Sequence, residues 1–170
     1  MAQVIYATPR RELGGRAAAR NKEIDRALAL NADYILWLDS DQTVSLESLS
    51  AMFTNIIEAD IVICDAPSRG KTDSNIVYNP DGTLNHFTVS CCLMSVNWLW
   101  LNPTVRFNSQ VACIRDGIKE GKLTHRLESK YVDDNIGEDT YFAIKALEAG
   151  ARVVVLPDFY NSRHLDIGEL

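Results

Sequence analysis

The chain has 170 residues, 46% hydrophobic and 24% charged, with a formal charge of −6. This size suits a single domain over residues 1–170 with a true hydrophobic core, and the acidic balance argues against broad adhesion to nucleic acid or anionic membrane. No apolar run reaches the ~18 residues of a membrane span, and no charged-then-apolar leader opens the sequence, so a cytoplasmic protein without a transmembrane segment is expected.

In chain order, Val4 to Thr8 is a short β-prone run stopped by Pro9. Gly14-Gly15 precedes a helical pattern from about Arg16 to Ala32, with Ala17, Ile24, Ala27 and Leu28 on one stripe. Asp33 to Asp39 is almost wholly apolar and predicts a strand buried on both faces. Ser45 is a good N-cap, with Glu47 in the first turn, for a helix to about Glu58 that buries Leu46, Leu49, Met52, Phe53, Ile56 and Ile57. Asp60 to Cys64 is the next strand, and the alternation to this point predicts parallel βαβ units.

The middle changes character. Asn79-Pro80-Asp81-Gly82 marks a turn between Ile76–Tyr78 and Leu84–Val89, which reads as a hairpin. Cys91 to Val96 continues as strand, followed by a short apolar helix or turn in which Trp98 and Trp100 are expected to anchor the core. Residues 106–135 mix charge and glycine as a long loop or lid would. From Gly137 a helix carries Phe142, Ile144, Ala146 and Leu147 until Gly150 stops it, and Arg152 to Leu156 is a last strand before Pro157. Cys64, Cys91, Cys92 and Cys113 lack any C-x-x-C spacing and read as reduced thiols.

Asp39-Ser40-Asp41 follows the apolar run Tyr34-Ile35-Leu36-Trp37-Leu38. Residues two apart on a strand point to one side, so two carboxylates leave the strand end together, where open α/β sheets bind ligands. Crowding them is costly without a cation, which makes Mn²⁺ or Mg²⁺ and an anionic ligand the first expectation. Residues 1–26 carry a local charge of +3, leaving −9 for the remainder. Such a basic segment facing an acidic site suits an anion held through a metal. Helix capping is the plain alternative for the two aspartates.

Three ordered segments carry a resemblance. They are Ala18-Ala19-Arg20-Asn21 leading to the strand that ends in Asp39-Ser40-Asp41; the strand around Cys91-Cys92-Leu93-Met94-Ser95; and Gly137-Glu138-Asp139 with Tyr141-Phe142, followed by a strand and Arg163-His164. Together they resemble GT-A glycosyltransferases of the family 2-like, short phage and bacterial type. The implied fold is a GT-A-like α/β domain: a mostly parallel, Rossmann-like sheet with flanking helices and a small antiparallel hairpin region.

The resemblance also implies roles. Asp41 would bind the metal directly, Asp39 through water or by reaching the nucleotide ribose, and His164 would complete the metal shell. Asp139 would be the general base of an inverting transfer from a nucleotide sugar, UDP- or GDP-linked, to an acceptor hydroxyl, with Glu138 as base or acceptor-positioning group. Arg16, Arg20 and Asn21 would line the nucleotide, Arg16 or Arg20 contacting phosphate or base, with a surface salt bridge as the alternative. The usual fold has a further βα unit before the "aRN" helix, and glycines near the Cys91-Cys92 strand. Their absence leaves open a homodimer that shares the missing half, or a non-catalytic nucleotide- or sugar-binding module of this fold. A nucleotidyltransferase is the weaker alternative, since Gly14-Gly15 is a poor phosphate loop.

Overall fold

The computed structural model describes residues 2–8, 15–66, 74–108, 137–157 and 160–164. The elements in order are β1 (Val4–Ala7), α1 (Gly15–Ala29), β2 (Tyr34–Leu38), β3 (Gln42–Thr43), α2 (Leu46–Asn55), β4 (Ile61–Ile63), β5 (Val77–Tyr78), β6 (Leu84–His86), β7 (Cys91–Ser95), α3 (Val96–Leu101), α4 (Glu138–Glu148), β8 (Val153–Val155) and β9 (Arg163–His164). The expected α/β class holds.

Five strands form the central sheet in the order β1-β2-β7-β4-β8. β1 and β2 pair in parallel, as do β4 and β8, while β7 lies between β2 and β4 and runs antiparallel to both. The βαβ reading therefore gives the strand directions but not the adjacency. The wedge is β7, whose Cys-Cys-Leu-Met run is buried at every position, as a central strand requires. The expected hairpin is present as the β5–β6 pair.

Alternation along the strands divides the core into two layers. Ile35, Trp37, Ile61, Ile63, Cys92 and Met94 pack with Ile24 and Ala27 of α1 and Phe142 and Ala146 of α4. Val62, Cys64, Cys91 and Leu93 pack on the other face with Met52 and Ile56. Helix ends are set by local chemistry. The Ser45 hydroxyl accepts the Ser48 N–H at 3.0 Å to cap α2. Asn31 (φ 51) and Gly150 (φ 79) take left-handed conformations that stop α1 and α4.

Several sequence expectations change. On α2 the buried stripe runs through Ser48, Met52 and Ile56, so Leu46 (80% exposed) and Ile57 (75%) fall off it. Trp98 is core, but Trp100 is 67% exposed. Phe107 is buried core, at the beginning of the segment read as a lid. Residues 109–136, including Cys113, lie outside the described residues, as does the Gly14 position.

Met52→Ala is expected to cost about 2–5 kcal/mol in urea denaturation, whereas Leu46→Ala should stay within about 0.5 kcal/mol. The reverse order would mean that α2 presents another face to the sheet.

Candidate active site

The four strands of shared direction end at one edge of the sheet, and the antiparallel β7 begins there. Asp39 follows β2 immediately, and its backbone N–H donates to Ser90 O at 3.0 Å, just before β7. The Gln42 N–H donates back to Asp39 O at 3.0 Å, closing a turn over residues 39–42. Strand alternation therefore stops at Leu38, and it is this turn that holds the two carboxylates near each other. Their proximity is felt: the charge on Asp41 contributes to raising the pKa of Asp39.

Arg20, on the first turns of α1, is 2% exposed and gathers the acids of this edge. Its Nη2 lies 3.4 Å from Asp39 Oδ1, 3.4 Å from Asp139 Oδ2 and 3.3 Å from Asp139 Oδ1, and its Nε lies 3.8 Å from Glu138 Oε1. Nη1 donates to Val89 O at 3.2 Å. The guanidinium carbon stands 5.6 Å from the Trp37 ring centroid and 5.3 Å from that of Phe107, which stacks at 4.3 Å on Phe142. A guanidinium packed on aromatic faces gains cation–π attraction beside its ion pairs. The surface salt bridge weighed for Arg20 is thus replaced by a buried one to three acids on two other elements.

Asp139 and Glu138 open α4, where acids suit the helix dipole. They turn inward all the same, with side chains 17% and 15% exposed. The Val89 N–H donates to Asp139 Oδ2 at 3.3 Å, while Asp139 Oδ1 is buried and receives no hydrogen bond from the described residues. Burial pushes the Asp139 pKa up from 3.8 to about 6, against the lowering pull of Arg20 and with a further raising push from Glu138. Burial also raises the pKa of Asp39, with Arg20, Arg16 and a hydrogen bond from Ser90 acting against it.

The other sequence candidates are distributed as follows. Arg16 is exposed at the beginning of α1, close enough to Asp39 to lower its pKa. Asn21 is committed to the protein: its Nδ2 donates to Phe107 O at 2.8 Å and its Oδ1 accepts the Phe107 N–H at 2.9 Å. This clamp seats Phe107 against Arg20. His164 lies on β9, whose backbone pairs with β3 so that His164 stands opposite Gln42, the neighbour of Asp41. Ser162 anchors this pairing through its hydroxyl, 3.2 Å from Gln42 Oε1 and 3.3 Å from Asp65 O. Among the described residues no group of three or more His, Cys, Asp and Glu has metal-ligating geometry. The oxygen donors of Asp39 and Asp41, as paired like charges at a strand end, fit a hard divalent ion.

Sequence reasoning missed Val89 and Ser90. Val89 works entirely through its backbone, which no side-chain pattern signals. Ser90 precedes the apolar strand without a motif of its own.

Residues 2–118 match the family described as Glycosyl transferase family 2, well over half of the chain, and the chain belongs to that family. Family membership supports glycosyl transfer as the general chemistry, and implies a nucleotide-sugar donor and an acceptor. The match takes in Arg20, Asp39, Asp41 and Val89-Ser90, and stops before Glu138, Asp139 and His164. Among solved structures, the crystal structure of A197 from STIV is similar at a TM-score of 0.50 and 15% identity, over 93% of this chain and 83% of that one. That likeness concerns the fold, which is GT-A-like: a largely parallel sheet with flanking helices and small antiparallel ladders. No curated protein matches. Among the described residues no helix is long and apolar enough to cross a membrane.

Two stability predictions follow from the cluster. Arg20→Ala leaves Asp39, Glu138 and Asp139 without their buried counter-charge and should cost about 3–5 kcal/mol in denaturant unfolding. For Asp139, a folded pKa above its ordinary value means that the native state favours the protonated acid. Its contribution is fully present below pH 4 and lost as pH rises through about 6. The stability of wild type relative to Asp139→Asn should therefore fall between pH 4 and pH 7, by on the order of 3 kcal/mol. A rise over the same window would show that Arg20 outweighs burial.

Proposed function

We propose that the chain is a metal-dependent glycosyltransferase that moves a sugar from a nucleotide-diphosphate donor to an acceptor hydroxyl with inversion, Asp139 acting as the general base. The observation that carries this reading is the Asp139 carboxyl itself. Arg20 Nη2 lies within 3.4 Å of both oxygens, the Val89 N–H donates to Oδ2, and Oδ1 receives no hydrogen bond from the described residues. Its pKa of about 6 lets it be ionised at neutral pH and still be basic enough to take a proton.

In this mechanism the Asp139 carboxylate accepts the proton of the acceptor hydroxyl. The acceptor oxygen attacks the anomeric carbon, and the bond from that carbon to the diphosphate breaks, its electron pair leaving with the nucleotide. Glu138, one residue away and on the same arginine, is placed to orient the acceptor. Arg16 stands at the open end of α1, near Asp39, where its exposed guanidinium suits donor phosphate. Asp41 and Asp39, with His164 on the paired strand, would hold Mn²⁺ or Mg²⁺, which supplies neutralisation of the charge gathering on the leaving diphosphate. Arg20 is a positioning residue: it orients Asp39 and Asp139 together and opposes the upward drift of the Asp139 pKa.

Calorimetric titration of UDP, GDP, CDP and dTDP, each with Mn²⁺ and with EDTA, tests the donor site. One nucleotide should bind in the micromolar range only with metal, and Asp41→Ala should abolish that binding. Asp139→Asn should keep the nucleotide but lower turnover of the matching nucleotide sugar about 10²–10⁴-fold. The rate should rise with pH through about 6, because only the ionised carboxylate accepts the proton. Nucleotide binding with no release of nucleoside diphosphate in the presence of any acceptor would favour the binding-module alternative instead.

A further inference from the structure

A second recess lies at the opposite end of β2, about 13–17 Å along the strand from Asp39. It has a volume of about 390 Å³, and its lining includes Asn31, Asp33, Tyr34, Ser95, Asn97 and Trp100. Volumes of ~300–1,000 Å³ are usual for small-molecule sites. Of the three tryptophans, Trp37 is 0% and Trp98 7% exposed, whereas Trp100 is 67% exposed. Its exposure follows from α3: Ser95 caps the helix by accepting the Trp98 N–H at 3.3 Å, which turns Trp98 inward and Trp100 outward. Asn97 is three residues before Trp100, so the two share one helical face. Across the recess, the left-handed Asn31 that ends α1 and the following Asp33 supply polar groups.

Those groups have capacity to spare. The Asn31 and Asn97 amide side chains have no hydrogen-bond partner among the described residues. Asp33 uses one oxygen, Oδ2, to accept the Gln3 N–H at 2.7 Å. The Ser95 hydroxyl accepts the cap bond and still has its own proton to donate.

We propose that this recess binds a neutral pyranose residue of an oligosaccharide, with the Trp100 indole as its platform. The apolar C–H face of a pyranose packs on an exposed indole, while its hydroxyl groups both donate and accept and so match planar amides and a carboxylate. The lining argues against the other ligand classes. Among the described residues it contains no lysine or arginine, and Asp33 is the one charged residue, which disfavours phosphates and acidic sugars. Asn31, Asp33, Ser95 and Asn97 make it polar, unlike the apolar centre of a stable protein interface. The site is separate from the carboxylate cluster and does not depend on transfer chemistry. It would keep a glycan tethered to the protein while the far edge of the sheet is free.

The test uses maltohexaose, cellohexaose, chitohexaose and mannohexaose as probes, followed by tryptophan fluorescence and by the indole N–H signals in ¹H–¹⁵N NMR spectra. At least one probe should bind saturably and shift the Trp100 indole, leaving those of Trp37 and Trp98 in place. Trp100→Ala should weaken binding at least tenfold and Asn97→Ala several-fold, while Asp139→Asn should leave it unchanged. Both substitutions in the recess are at exposed positions, so folding is not at risk. No binding by any of the four probes overturns the proposal. So does concentration-dependent self-association that Trp100→Ala abolishes, which would make this face a protein interface.

Discussion

One guanidinium organises the working edge of this protein. Arg20 is buried against two aromatic rings and answers three carboxylates from two distant parts of the chain. Burying a charge is tolerable only when it is paired, and a single arginine cannot fully compensate three acids. The surplus negative charge sits where the strands end; burial first, with like-charge crowding added, raises the pKa values of Asp39 and Asp139 against the pull of Arg20. The arrangement is strained in the electrostatic sense, and acids perturbed in this way concentrate at functional sites.

The fold supplies this geometry through its backbone as much as through its side chains. Val89 contributes a carbonyl to Arg20 and an N–H to Asp139, and Ser90 contributes a carbonyl to the N–H of Asp39. Two consecutive residues, through three successive peptide units, thus register the end of β2, the beginning of α1 and the beginning of α4 against one another. Asn21 adds a further fixed point by clamping Phe107 beneath the guanidinium. At the far side of the turn, the β3–β9 ladder brings the chain segment carrying His164 back to the neighbour of Asp41.

Much of this was legible in the sequence, for reasons that can be stated. The apolar run into Asp39-Ser40-Asp41, the Ser45 cap and the Gly150 stop are local signals, and the elements they mark stand within a few residues of their expected places, whereas the short strands β3 and β9 were not expected. Which face of α2 is buried was less legible, since Leu46 and Ile57 are as apolar as their neighbours and only the position of the sheet decides between them. Trp100 misled for the same reason. The burial of Arg20 was not legible, because an arginine at a helix start is ordinarily solvated and its partners here lie 19 and 119 residues away. The turn that replaces strand geometry after Leu38 depends on a long-range bond to Ser90, which composition does not announce.

The placement of β7 has a consequence for how the molecule comes into being. Its neighbours β2 and β4 touch the rest of the sheet through it, so without residues 91–95 the sheet is two separate pairs, β1–β2 and β4–β8. The second of these pairs needs Val153–Val155 as well. Residues up to Val155 must therefore leave the ribosome before the five strands can close, and each closing contact spans a long loop. Until that moment β2 and β4 expose apolar edges with open hydrogen-bonding groups, the kind of surface that chaperones cover and that aggregates exploit. The strand that joins the two halves of the sheet is also the keystone of its assembly, so the edge bearing the carboxylate cluster takes shape only once that strand is in place.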